Sequence, residues 1–226
     1  MSYFHNNLMA KAYYQRIKGF YMSNPSGIYP SWSSSDDYPV RRDISSNDAG
    51  ISLVYKFSED FSYLAANTQQ ERQEKSGGTW FIGTQYNYLG LRFDNSLLPA
   101  GTEADYSPEA DRFRGGDFHS LSAFFGGAYT LVFFKKFYAS ISLAIAPSYS
   151  YQRWKLNNQI KTAHGWTLLG TGYPGWATVG FNGDSFLCGL NYKYMIGTNN
   201  LHNSSMGIGI DEVMNVDIEL FAGGRF

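Results

Sequence analysis

Three side chains near the end of the chain have the residue types of a hydrolytic triad. His202, Ser204 and Glu212 lie within "TNNLHNSSMGIGIDE". A histidine can activate a serine hydroxyl as a nucleophile when an acid orients its ring. All three residues fall in a polar, glycine-rich stretch, which is more typical of a solvated loop. We therefore expect no catalysis here and keep a hydrolase as the alternative.

The other histidines and the cysteine do not complete a second site. His119 and Ser120 are adjacent in a predicted strand, where neighbouring side chains point to opposite faces. His5 and His164 stand alone, and no spacing of His, Cys, Asp and Glu matches a transition-metal site. Cys188 is the only cysteine, so the chain forms no internal disulfide. We expect neither a metal nor a cofactor.

The composition excludes several classes of protein. The chain has 226 residues and a formal net charge of −1, so it lacks the basic field of a nucleic-acid-binding protein. Charged residues make up 16% of the chain, against about 25% in ordinary soluble domains, and aromatics reach 18%. No apolar run is long enough for a membrane helix, and no signal peptide is visible. Few charges and many aromatics favour a β protein with a large apolar exterior.

Apolar residues recur at every second position through most of the chain. In residues 137–146, "FYASISLAIA", Phe137, Ile141 and Ile145 share one face, and serines and alanines fill much of the other. A soluble sandwich keeps its bulky face inside, whereas a membrane barrel turns bulk to lipid and small or polar residues to the lumen. The pattern predicts a single domain, residues 1–226, that forms an all-β, transmembrane, antiparallel up-and-down β-barrel.

We predict nine strands from this alternation. Counted back from the C-terminus with the tight turns on one side, strands 78–89 and 118–131 would run in the same direction, so we expect a tenth strand within 90–117. Eight or twelve strands also fit. The nine cover about residues 8–20, 48–57, 61–72, 78–89, 118–131, 137–150, 172–181, 186–196 and 213–226. Tight turns alternate with long polar stretches at 22–48, 90–117, 153–171 and 198–211. Short periplasmic turns and long extracellular loops are the layout of outer-membrane barrels.

The small and polar face of the strands predicts what lies in the lumen. In the last hairpin, Lys193 is expected opposite Asp217, and the same register sets Asn191 opposite Glu219. Each such pair is worth about 0.2–1 kcal/mol. A barrel of about ten strands is narrow and filled by side chains, so we expect no wide pore. The predicted polar cluster of the lumen comprises Lys193, Asp217, Asn191, Glu219, Arg16 and Lys56.

The most charged segment, "QQERQEKSGG", is predicted to be a hairpin end outside the hydrocarbon, where a charge is costly. Its Arg72 and Lys75 suit contacts with an envelope protein partner or with lipopolysaccharide phosphates.

Several segments together resemble an exported Bacteroidota β-barrel family catalogued as a domain of unknown function. The resemblance rests on "YYQRIKGFY" (13–21), "RQEKSGGTWFIG" (72–83), "FFGGAYTLVFFKKFYASISL" (124–143), "VGFNGDSFLCGL" (179–190) and "FAGGRF" (221–226). It implies a fold and an envelope location but supplies no activity or site residues. Members usually carry a signal peptide and further N-terminal sequence. Separately, outer-membrane lipid A deacylases resemble this chain in having a His-x-Ser on a barrel strand near the outer leaflet with a Glu further on, whereas here the His-x-Ser lies in a glycine-rich loop and the Glu follows sooner.

The closing stretch "MNVDIELFAGGRF" matches the last-strand pattern that barrel-assembly machinery reads. Its signal residues are Val216, Ile218, Leu220 and the terminal Phe226. We expect a protein of the outer membrane of a Gram-negative bacterium, in contact with outer-membrane lipid or lipopolysaccharide, with a structural, binding or accessory role. The alternatives are a lipid A acyl hydrolase, a narrow transporter for a small or apolar solute, and a soluble lipocalin-like barrel.

Overall fold

Antiparallel strands make up almost all of the structure, a computed structural model that describes residues 2–5, 7–21, 25, 33–68, 71–96, 111–167, 175–197 and 213–224. The eleven strands are β1 (Ser2–His5), β2 (Leu8–Tyr21), β3 (Val40–Lys56), β4 (Gly77–Arg92), β5 (Phe113–Phe133), β6 (Phe137–Ile145), β7 (Ser148–Leu156), β8 (Ile160–Thr167), β9 (Gly175–Asn182), β10 (Phe186–Gly197) and β11 (Val213–Gly224). A π-helical turn covers Leu64–Thr68. Within the described ranges, no helix combines the length and apolar character needed to cross a membrane.

One sheet contains all eleven strands and curls into a half-barrel. Each strand pairs with its neighbour in the order β1-β2-β3-β4-β5-β6-β9-β10-β11, and β7 and β8 extend the sheet beside β5. Strand β5 is 21 residues long because it pairs with β6 along one half and with β7 along the other. The interruption falls at Pro147, which lacks an N–H for the ladder but accepts a 3.0 Å hydrogen bond from the Ala123 N–H. Among the described residues, no ladder joins β1 to β11.

The predicted strand at 61–72 is wrong, and this error created the apparent need for a tenth strand. Residues after β3 turn inward and form the π-helical turn instead. Strands β4 and β5 then pair directly as an antiparallel hairpin, so the tenth strand expected within 90–117 is not needed to restore order. Further differences are the additional strand β1, the start of β3 at Val40 within the expected loop 22–48, and the break of 137–150 into β6 and β7. Strand β8 likewise lies within the stretch 153–171 that was expected to be a loop.

The two faces of the sheet differ as the alternation predicted. We call the face that covers the inward turn the inner face and the opposite one the outer face. On β6 the inner residues Ser140 and Ser142 are buried, whereas Ile141, Leu143 and Ile145 on the outer face are exposed. The inner face holds two apolar clusters. The first comprises Val54, Phe61, Tyr63, Ala66, Phe81, Phe124, Ala128, Ala146 and Trp176, and the second Phe93, Phe113, Phe118, Trp154 and Leu156.

The connections at the two ends of the sheet differ. Residues 134–136 and 183–185 are tight turns, and they lie with the connection between β3 and β4 at one end, the turn rim. The turn at 183–185 is closed by the Gly183 N–H, which donates a 2.9 Å hydrogen bond to the Phe186 carbonyl. The links 22–39, 93–112 and 198–212 join strands at the opposite end, the loop rim.

Candidate functional site

The outer face carries a continuous uncharged band. Between the turn rim and the row of residues that pairs with His119, the described outer-face positions hold no Asp, Glu, Lys or Arg. On β5 this band runs from Leu121 to Leu131, which is about 34 Å along the strand. At a strand tilt of about 40°, the height is about 26 Å, close to the apolar band of a membrane barrel.

Aromatic rings border the band at both ends. Near the turn rim, Phe133 stacks on Phe137 with ring centroids 5.7 Å apart, and Phe137 contacts Phe181 at 5.2 Å. Toward the loop rim, the His119 ring lies between Tyr88 and Tyr151, at 5.1 Å and 6.0 Å. Rings with a polar edge are enriched where a membrane barrel meets the two interfaces.

A shallow groove of about 430 Å³ interrupts the apolar surface near the turn rim. Its floor is Gly127, and its walls include Trp80, Tyr129, Ile141 and Leu143. The Trp80 ring would lie 3.2 Å from a Cβ at position 127, so a larger residue there would displace the indole. The residues that line the groove are mostly apolar.

The inward segment, the described residues 57–68 and 71–76 between β3 and β4, packs its first part against the concave side of the sheet. Phe61 is fully buried, and its ring stacks on Trp176 of β9 at 6.4 Å and meets Tyr63 edge-on at 5.2 Å. The predicted lumen residue Lys56 is buried on the inner face, where its Nζ donates to the Phe61 carbonyl at 2.7 Å and the Ser58 carbonyl at 3.0 Å. Lys56 therefore holds the inward segment in place.

The last hairpin has the register that the sequence analysis expected. Lys193 faces Asp217, and Asn191 faces Glu219. The ion pair is diagonal, because Lys193 Nζ lies 2.7 Å from a Glu219 carboxylate oxygen and Asp217 is exposed. Asn191 donates to the same carboxylate at 3.2 Å and accepts from the Thr178 hydroxyl at 2.8 Å.

Arg16 does not join this polar cluster. It pairs in register with Asn47 of β3, two residues from Ala49 and four from the exposed Ile51. Side chains in register across antiparallel strands lie on the same face. Arg16 is therefore an exposed residue of the outer face, and its expected place in the lumen is corrected.

Charged groups at the turn rim hold the inward segment to two hairpins. Arg72 donates to Asp184 at 2.6 Å and to the Lys135 carbonyl at 3.0 Å. Lys136 Nζ lies 2.9 Å from the second Asp184 oxygen. Hydrogen bonds from Lys136 and Arg72 hold the pKa of Asp184 below its ordinary value. The segment is thus not the free hairpin end that its charges suggested.

The remaining predicted residues divide into two groups. Val216, Ile218 and Leu220 are exposed on the outer face of β11. His202, Ser204, Glu212 and Phe226 lie outside the described residues. Sequence reasoning missed the inward segment, although a signal existed: the alternation stops at "YLAA", residues 63–66, where four apolar residues follow each other.

A family model matches residues 1–226, the whole chain. The chain belongs to the DUF4421 family. DUF4421 is described as a domain of unknown function, so the match confirms the resemblance to a family of unknown function and adds no activity, source organism or location. No curated protein and no solved structure matches this DUF4421 chain.

Proposed function

We propose that this DUF4421 chain is an integral β-barrel protein of the outer membrane of a Gram-negative bacterium, with a structural or binding role in the envelope. The observation that carries the proposal is the uncharged outer face. A band about 26 Å high across about eight strands spaced about 4.8 Å apart covers on the order of 1,000 Å². Soluble monomers rarely expose apolar patches larger than about 300–600 Å².

The last strand supports the same location. Leu220 is 86% exposed and Ile218 is 67% exposed, although β11 pairs along its whole length with β10. An apolar face of this kind on a final strand suits recognition by barrel-assembly machinery. An envelope protein partner and lipopolysaccharide are further expected contacts of the inserted protein.

Insertion also requires that the sheet has no open edge in lipid. Backbone N–H and C=O groups cost several kcal/mol each when they are left unpaired in hydrocarbon, so membrane-spanning sheets are closed. In the proposed membrane state, the outer edge of β11 is therefore paired, either with the opposite edge of the half-barrel or with a further strand. The half-barrel curvature brings the sheet part of the way to this closure.

The filled interior favours a protein that does not conduct. The inward segment and its cluster occupy the inner face near the turn rim, and the Trp154 cluster occupies it near the loop rim. Trp154 and Phe61 are each 0% exposed. We therefore propose an anchoring or binding role rather than diffusion of solutes.

Tryptophan quenching by brominated lipid tests the orientation. Trp80 is 63% exposed on the outer face, whereas Trp176 is buried at 2%. In vesicles whose acyl chains carry bromine, the proposal predicts strong quenching that a Trp80→Phe variant reduces. Trp166→Phe is the matched control, because Trp166 is exposed in the Leu121 row at the loop-side border of the band and should contribute less to quenching from the middle of the acyl chains. A protein that stays soluble without detergent, does not float with vesicles and shows no quenching would refute the proposal.

A further inference from the structure

A stripe of positive charge crosses the outer face directly on the loop side of the uncharged band. Two adjacent cross-strand rows contain it. One row pairs Arg16, Asn47, Gly90, Asp117 and Arg153 in succession, and the next pairs Lys18, Ser45, Arg92, Gly115 and Lys155. We call Arg16, Lys18, Arg92, Arg153 and Lys155 the basic stripe.

The stripe has more cations than its one carboxylate can neutralise. Asp117 contacts the Arg92 guanidinium with one oxygen, and Lys155 Nζ lies 2.9 Å from the other. Arg16, Lys18 and Arg153 are exposed and form no ion pair within the described part of the chain. Five positive charges and one negative charge leave the two rows at +4.

The change from uncharged to basic surface is abrupt. The neighbouring row toward the turn rim contains no Lys, Arg, Asp or Glu: it consists of Tyr14, Ala49, Tyr88, His119, Tyr151 and His164. Residues on one face of a strand are about 7 Å apart, so the change takes a single step. Along the outer face of β2 the order is apolar at Ala12, aromatic at Tyr14 and then cationic at Arg16. Lipids present hydrocarbon, interface and phosphate in the same order.

We propose that the basic stripe binds the phosphate groups of anionic lipids in the leaflet on the loop side. This inference rests on the proposed function, because it needs the uncharged band to lie in the bilayer. Arginine donates two parallel hydrogen bonds to a phosphate, and Arg16 and Arg153 are free of carboxylates in the described residues. Arg92 and Lys155, fixed by Asp117, supply positive charge at a set position.

The turn rim is a weaker candidate for the same ligand. The charges of residues 69–78 predict phosphate contacts for Arg72 and Lys75, but the Arg72 guanidinium already binds Asp184. Lys136 binds the same carboxylate. The cations of this rim are thus largely committed to holding the inward segment.

The test uses the full chain in two kinds of vesicle, phosphatidylcholine alone and phosphatidylcholine with phosphatidic acid. Native mass spectrometry after mild detergent extraction then counts the phosphatidic acid that stays bound. One cation near an anionic surface is worth about 1 kcal/mol, or about 5-fold in affinity. The double variant Lys18→Gln with Arg153→Gln should therefore bind phosphatidic acid about 30-fold more weakly.

The matched control is Lys75→Gln with Lys135→Gln, the same change of charge near the turn rim. The inference expects this control to retain its phosphatidic acid. Equal loss in both double variants, or no preference for phosphatidic acid in the unaltered protein, would overturn it. Displacement of the lipid by inorganic phosphate alone would also overturn it, because the stripe would then be a site for free anions. Failure to insert into either vesicle would instead refute the proposed function.

Discussion

A charge placed at Ile141 tests whether the outer face lies in lipid. Ile141 is four residues after Phe137, the first residue of β6. This is about 14 Å along the strand and about 10 Å along the membrane normal at a tilt of about 40°. The site is therefore close to the middle of a band about 25 Å high, where an arginine costs about 2–4 kcal/mol. The Ile141→Arg variant should lose that much stability in vesicles.

Phe186→Arg is the matched control. Phe186 is 49% exposed and Ile141 is 50% exposed, and both lie on the outer face. Phe186 begins β10 at the turn rim, where an arginine near the interface costs only about 0–1 kcal/mol. Urea unfolding of both variants in phosphatidylcholine vesicles gives the comparison. Equal losses, within about 0.5 kcal/mol, would contradict a lipid-facing band, because exposed sites of a soluble protein tolerate both changes alike.

Three further predictions concern the interior and the turn rim. Phe61→Ala should destabilise the protein by about 3–5 kcal/mol in urea unfolding, because it empties a fully buried site; a loss below about 1 kcal/mol would contradict the packing of the inward segment. Asp184, whose pKa is lowered by Lys136 and Arg72, should contribute stability above the ordinary carboxyl pKa of about 4 and lose it as the pH falls. Asp184→Asn should flatten that acid decline in the urea midpoint, and an unchanged decline would show that other groups cause it. Lys193→Met removes a part-exposed ion pair and should cost less than about 1 kcal/mol, without conductance in planar bilayers; a large conductance would mean that the interior is open.

The alternation in the sequence predicted which residues face which way. Ile141 and Ser142 lie on opposite faces, as the period of two requires, and the register of Lys193 with Asp217 follows from the same period. A one-residue slip would have moved the whole apolar set to the wrong face, so the register was strongly constrained. Strands with clear alternation and a tight turn were therefore the predictable part of the fold.

The errors fell where side-chain period alone does not decide the structure. Phe61 and Tyr63 share one face as strand residues do, but the chain then forms the π-helical turn Leu64–Thr68 instead of continuing the alternation. In the sequence of β2 alone, Arg16 fits the polar face expected to line the lumen. Its pairing with Asn47 of β3 decides that it lies on the outer face, and the sequence of a single strand does not show that pairing. The basic stripe escaped notice for the same reason: Arg16 and Arg153 are 137 positions apart and meet on one surface only through four ladders.

The inward segment also sets a sequence of events during folding. It joins β3 to β4, whose ladder is local, but its partners come late in the chain: Phe61 stacks on Trp176, and Arg72 binds Asp184 across 112 positions. Contacts of such long separation carry a loop-closure cost that a local ladder does not, which favours their late formation. The β3–β4 hairpin can therefore arise with its linker still undocked, and the linker can settle only when β9 and the following turn are in place. Docking of residues 57–68 thus reports that the later half of the sheet has been assembled.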